Sequence, residues 1–337
     1  MSAKRRDGPR PALRAVLLLL PLCLCACGES GRAMRERLDQ TADVLNQALI
    51  RAKTEVAQLR KKAAQRLADA DQGKTPARPD PATHRFFGRQ GVYYKCRDDG
   101  GCGMWASGFT PVDERVLRTI AAIESLSPDI VSLVTADELF AQGYILANDD
   151  FGVFYPYLDS VAFFPPLIDF HETYAPFYEA APERNPGRGE VWLRPYLDAT
   201  GKGYMTSVSS PIFLRDGSFA GVAGGDVEAI TLKTRFLDPE RNQMLLTRGF
   251  IPLAATDACV ELLGLHDFTK FRYLEGVDKD AYASREYGLE ENPELRDLAG
   301  RLGPGVFFEW EFHGRTFQVY GAPVAETGWL LAELAER

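Results

Sequence analysis

Residues 192–227, WLRPYLDATGKGYMTSVSSPIFLRDGSFAGVAGGDV, decide the fold. β-Branched, aromatic and small residues fall into three runs, parted by Thr200-Gly201 and by Arg215-Asp216-Gly217, residue types that favour tight turns. Strands joined by turns this short must be antiparallel. Side chains two apart on a strand share a face, so Trp192, Arg194, Tyr196 and Asp198 are expected together. The same parity on the third run presents Ala220, Val222, Gly224 and Asp226. An aromatic, cationic and acidic rim beside small side chains suits a small polar ligand.

The C-terminal third repeats this plan without repeating the sequence. Residues 244–254 read as a strand pair, and Asn292-Pro293 as the start of a short helix reaching Leu302. GVFFEWEF, RTFQVYGAPV and WLLAELA then form a second three-strand meander, turning at His313-Gly314 and Thr327-Gly328. Meanders preceded by helical and irregular material make the class α+β.

Upstream, apolar residues from Met34 to Leu67 recur every three or four positions with no Gly or Pro between them, which predicts one helix over 31–72 stopped by Gly73. A Pro-rich connector follows at 74–83, an extended segment from His84, and an amphipathic helix over 112–126. Short strands are expected in DIVSLVTADEL (129–139) and in 141–159. The aromatic, Pro-rich segment 164–189 reads as an irregular lid with one short helix at most.

The N-terminus reads as a targeting segment. Basic residues precede an apolar run over 15–26 that is shorter than the roughly 20 residues of a membrane span. Its end, Leu24-Cys25-Ala26-Cys27, resembles a bacterial lipobox, which implies cleavage before Cys27 and lipidation of that residue. The expected divisions are a signal peptide at 1–26, the lipidated N-terminus and long helix at 27–73, one module at 74–238 and a smaller one at 239–337. The expected location is the bacterial cell envelope, on the periplasmic side of the outer membrane. There, Cys96 and Cys102 could close a small disulfide loop or stay free, while Cys259 in TDACVELL reads as a buried thiol.

Several functions are disfavoured. The formal net charge of −8 argues against a nucleic-acid partner. His84, His171, His266 and His313 fall in no motif, SVSS (207–210) lacks a nucleophile elbow, and GVAGGDV lacks phosphate-loop spacing. No enzyme activity, metal or cofactor is expected.

The long helix, W-x-x-P-Y-x-D, Ser-Ser-Pro-Ile and G-x-x-G-G-D-V together resemble the double Cache family of extracytoplasmic sensors. That resemblance implies two tandem PAS-like modules with antiparallel sheets on one long helix, and a ligand in the membrane-distal module. In amino-acid-binding members an Arg-x-Trp-Tyr segment, a Tyr-x-Asp pair and a final Asp form the pocket. Tyr178, Tyr196, Asp198 and Asp226 match, Phe177 replaces the Trp, and Ala175 stands where the carboxylate-holding Arg would be. Either Arg194 supplies the cation from another direction, or the ligand is an amine facing two carboxylates, the favoured reading. Trp192 is expected in the same wall. The expected partners are a small-molecule ligand, a membrane through the lipid, a separate receptor or histidine kinase, and a second copy through the helix. The alternative is a structural envelope lipoprotein that binds nothing.

Overall fold

The computed structural model describes residues 30–75, 78–198, 203–266 and 288–337. The expected signal segment, Cys27 and the expected turn at Thr200-Gly201 lie outside them. Helix α1 (Gly31–Asp71) starts where Ser30 Oγ accepts from the Ala33 amide at 3.2 Å, and Gly73 takes a left-handed φ of +67° just past its end. At 1.5 Å per residue it runs about 60 Å, long enough to lie along two modules. Its N-terminal half is fixed to the second module by Arg37–Glu333 and Asp39–Tyr320, and Lys53–Glu326 adds a contact just past the midpoint. Its C-terminal half meets the first module through Arg60–Glu190 and Lys62–Asp129. Along the whole length, residues such as Leu38, Leu49, Val56 and Leu67 enter one core shared by both modules. No helix among the described residues is long and apolar enough to cross a membrane.

The first module is one antiparallel sheet. Its strands are β1 (His84–Phe87), β2 (Val92–Lys95), β3 (Gly103–Ala106), β4 (Gln142–Ala147), β5 (Phe151–Tyr155), β6 (Val191–Trp192), β7 (Tyr196–Leu197), β8 (Tyr204–Phe213) and β9 (Phe219–Glu228). They lie in the order β1-β2-β3-β5-β4-β9-β8-β6, with β7 also on β8. One face, with Met104, Ile145, Val153, Val208 and Ala223, packs on α1, α2 (Glu114–Glu124) and α3 (Ser127–Thr135). The other face carries Tyr94, Trp105, Tyr144 and Val222 beneath the lid. The lid holds α4 (Ser160–Phe163), α5 (Phe170–Thr173) and α6 (Ala175–Tyr178), two helical turns where one at most was expected within 164–189.

Helix α3 also departs from the strand expected over 129–139. Ser127-Pro128 opens it, and Ile130 and Leu133, three apart, are its buried residues, so helical spacing overrides β-branched content. Of the two alternatives for Cys96 and Cys102, the free form is the one seen. Cys96 packs toward the lid-side face and donates to the Thr83 carbonyl, whereas Cys102 is buried in the helix-side core near the Ser127 carbonyl. The two side chains belong to opposite faces.

Helix α7 (Ala229–Phe236) leads into the second module. Its sheet runs β11-β10-β14-β13-β12, from β10 (Asn242–Leu246), β11 (Pro252–Ala255), β12 (Phe307–Phe312), β13 (Arg315–Val324) and β14 (Trp329–Glu336). Helices α8 (Asp257–Leu263) and α9 (Arg296–Arg301) cover the face away from α1, and Cys259 is buried there. Asn292 does not cap α9. Its side chain accepts from the Glu294 amide in a preceding turn, and the helix begins after Leu295.

Candidate functional site: an acidic cluster behind an aromatic cavity

Strand register assembles the site. Asp226 on β9 lies opposite Gln142 on β4 and Ser207 on β8, and Gly224 lies opposite Tyr144 and Ser209. Directly opposed residues of an antiparallel pair point to the same face. Asp226 is 0% exposed. Its Oδ1 accepts from Ser207 Oγ at 2.6 Å and from the Tyr196 hydroxyl at 3.2 Å. Its Oδ2 is buried with no hydrogen-bond partner, and so is Gln142 Oε1 in the opposed position.

Asp198 is equally buried, and its charge acts on Asp226. Burial first, and the Asp198 charge second, push the Asp226 carboxyl up to about 7, against the opposing pull of the Ser207, Tyr196 and Tyr144 hydroxyls. Burial and the Asp226 charge raise the phenols of Tyr144, Tyr174 and Tyr196 well above their ordinary value, which keeps them protonated donors. The cluster is thus two buried acids ringed by hydroxyl groups.

In front of it, between sheet and lid, is a cavity of about 520 Å³. Trp105, Phe154, Phe164 and Phe170 give it aromatic walls, and Gln142, Tyr144 and Tyr174 form the part toward Asp226. Asp226 itself lies behind that wall. The lid is tied down by backbone and side-chain bonds: Phe170 N to Asp150 Oδ1 at 2.9 Å, Ile168 N to Ser107 Oγ at 3.0 Å and Gly108 N to the Pro166 carbonyl at 2.8 Å.

Of the residues expected here, Tyr196, Asp198 and Asp226 come together. Trp192 and Arg194 do not. Trp192 pairs with Val208 and Tyr196 with Met205, so the register slips by one residue across Arg194-Pro195. Pro195 has no N–H for the ladder, and a one-residue slip reverses the faces. Trp192 therefore packs on the helix-side core and meets Trp329 edge-on, with ring centres 5.6 Å apart. Tyr178 lies under the Arg184 guanidinium, 4.5 Å from its ring centre, and Tyr174, one turn earlier, is the tyrosine near Asp226. Phe177 is fully buried against Phe170 and Phe219.

The small-residue floor at Gly224 is covered as well. A Cβ there would meet the Tyr144 ring at 2.4 Å, so the glycine makes room for that tyrosine. Sequence reasoning missed Gln142, Tyr144, Tyr174 and Ser207. The alternation in QGYILA and TSVSS could have offered Gln142, Tyr144 and Ser207, but only pairing with β9 brings them to Asp226. Among the described residues no group of three or more His, Cys, Asp or Glu side chains could hold a metal ion.

No protein-family model and no curated protein matches the sequence. Solved structures do. The extracellular domain of soHK1S-Z6, described as a histidine kinase, superposes with a TM-score of 0.51 at 15% identity, over 90% of this chain and 94% of that one. The chain has the double Cache sensor fold. In that fold's terms the first module takes the distal position and the second the proximal one. Also similar are the ligand-binding domain of the Pseudomonas aeruginosa PAO1 amino-acid chemoreceptor PctC in complex with GABA and that of the Pseudomonas fluorescens chemoreceptor CtaA in complex with L-serine. The first has a TM-score of 0.48 at 16% identity, covering 90% of this chain and 98% of that one. The second has a TM-score of 0.49 at 15% identity, covering 90% and 96%.

Proposed function

We propose that this double Cache protein is an extracytoplasmic, non-enzymatic sensor whose distal module binds a small molecule carrying a protonated amine. The reading is carried by Asp226 Oδ2, a buried carboxylate oxygen without a donor, opposite the unpartnered Gln142 Oε1. An ammonium group has three donors and no acceptor, so it satisfies both atoms and offsets the paired acids. Leaving such a charge buried and unpaired costs several kcal/mol, which sets the driving force for binding. Trp105, Phe164 and Phe170 would hold the rest of the molecule by apolar and cation–π contact. Ala175, where the resemblance leads one to expect a carboxylate-binding Arg, favours an amine without a carboxylate. Tyr174 and the lid must shift for an amine to reach Asp226. Anchored by a lipid on Cys27, the protein would pass the signal to a separate membrane receptor or kinase.

Calorimetric titration of the mature chain with amines, amino acids and simple carboxylates tests the assignment. An amine should bind best at pH 8, and Asp226→Asn should weaken it about 100-fold, the usual loss for a desolvated charge pair. Affinity should fall as pH drops through about 7, where Asp226 takes up a proton. Binding of carboxylates alone, equal affinity in Asp226→Asn, or no binding at all defeats the proposal, the last in favour of a structural lipoprotein.

A further inference from the structure

A second cavity, of about 640 Å³, lies between the two modules and against α1. The distal module contributes Trp192 and Arg194, α1 contributes Lys53, and the proximal module contributes Arg248 from the β10–β11 loop and the turn from Thr327 to Trp329.

Two independent features of these lining residues call for an acceptor. Trp192 Nε1 is a buried N–H donor without a partner. Arg248 is a pinned cation: its Nε donates to the Thr327 carbonyl at 2.9 Å, and its guanidinium lies across Gly328. Gly328 has a φ of +69°, and a Cβ there would come within 2.2 Å of that Nε, so the turn is shaped to let the guanidinium lie flat. Among the described residues Arg248 forms no ion pair with a carboxylate. Three other charged residues of the wall have partners: Lys53 pairs with Glu326, and Glu190 accepts from Ser210 and faces Arg60. Exposed Glu290 and Glu291 complete the lining and disfavour a dianion.

We propose that the junction cavity is a second ligand site, for a small monoanionic or zwitterionic molecule bearing a carboxylate. The terminal nitrogens of Arg248, fixed in orientation through Nε, hold the carboxylate, and the Trp192 indole N–H donates to one of its oxygens. A ligand here touches both modules at once and stiffens their junction. The site is chemically opposite to the distal one and does not depend on it.

The test uses the mature chain labelled with 5-fluorotryptophan, which gives four tryptophan signals in fluorine NMR. Trp192→Phe assigns the signal of interest. Acetate, glycine and glutamate are titrated, with methylammonium chloride as the cationic control. A carboxylate probe should shift the Trp192 signal saturably, and methylammonium should not. Arg248→Gln should weaken that response about tenfold or more, and Asp226→Asn should leave it unchanged. Should Arg248→Gln fail to fold, calorimetry on Trp192→Phe, which keeps an aromatic ring and loses the N–H, should show a severalfold weaker affinity. The proposal is overturned if none of the carboxylates shifts the signal at millimolar concentration, or if well-folded Arg248→Gln or Trp192→Phe binds as the wild type does.

Discussion

The two cavities differ in who supplies their walls and in how charge is balanced. The distal cavity belongs to one module, and behind its aromatic wall lie two buried acids and a carboxylate oxygen without a donor. The junction cavity is shared by both modules and α1, with a Lys53–Glu326 pair, a pinned guanidinium and a tryptophan whose indole N–H is buried without a partner. Both are served by one short segment, Val191–Asp198. The slip at Arg194-Pro195 sends Tyr196 and Asp198 to the acidic cluster behind the first cavity and Trp192 to the wall of the second. A single register step thus separates the residues of the buried acidic cluster from those of the junction, within eight residues of chain.

The sharpest way to break the contrast is through pH. Asp226 titrates at about 7 when folded, against a reference near 3.8, so unfolding releases its strain as soon as the unfolded carboxyl ionises. Stability of the ligand-free protein from this group is therefore full below about pH 4 and declines as pH rises through about 7. The loss approaches about 4 kcal/mol, taking roughly three units at 1.36 kcal/mol each. Asp226→Asn should flatten that decline, giving a protein more stable than wild type in urea melts at pH 8. Parallel wild-type and variant profiles would show that Asp226 ionises freely, and the acidic character of the distal site would be lost.

Gly224→Ala comes next. Its Cβ would drive the Tyr144 ring toward the distal cavity, an overpacking cost of about 1–3 kcal/mol. Melts should register that loss, and amine affinity should fall with it, while carboxylate titration at the junction stays as in the wild type. A change at both sites would mean the two cavities are coupled through β9.

How much of this was legible in sequence follows from the range of the interactions involved. Helix α1 was readable because its apolar residues repeat locally, and the meanders because Asp216-Gly217 and His313-Gly314 mark their turns. Tyr196, Asp198 and Asp226 were readable as a resemblance. Gln142 and Tyr144 were not, since nothing near them in sequence says that β4 pairs with β9 rather than with another strand. Trp192 was misplaced because alternation assumes an unbroken strand, and Pro195 breaks it. Helix α3 was misread because β-branched residues look alike in both structures until their burial spacing is seen. The junction cavity left no mark in the sequence at all, being made by two modules folding against one helix.

A smaller effect tests the junction. Trp192 and Trp329 meet edge to face across it, and such pairs contribute about 0.5–1.5 kcal/mol beyond their buried area. A double-mutant cycle with Trp192→Leu and Trp329→Leu should return a coupling of about 1 kcal/mol, and the single variants should leave amine affinity near the wild-type value. Zero coupling would mean that the two rings meet without helping to hold the modules together.

The smallest expected effect concerns Tyr178. It lies under the Arg184 guanidinium, away from the Asp226 cluster, in a contact worth about 0.5–1 kcal/mol where partly exposed. Tyr178→Leu should cost no more than that in a melt, and amine affinity should not move. Tyr174→Phe should weaken the amine severalfold, because the raised Tyr174 phenol stays protonated beside Asp226 and its hydroxyl is a donor the wall would lose. The pair of variants fixes the register of the lid helices. If Tyr178→Leu weakens binding and Tyr174→Phe does not, the ligand-bound lid has advanced by one turn, and the distal cavity described here is the closed, waiting form of a differently lined site.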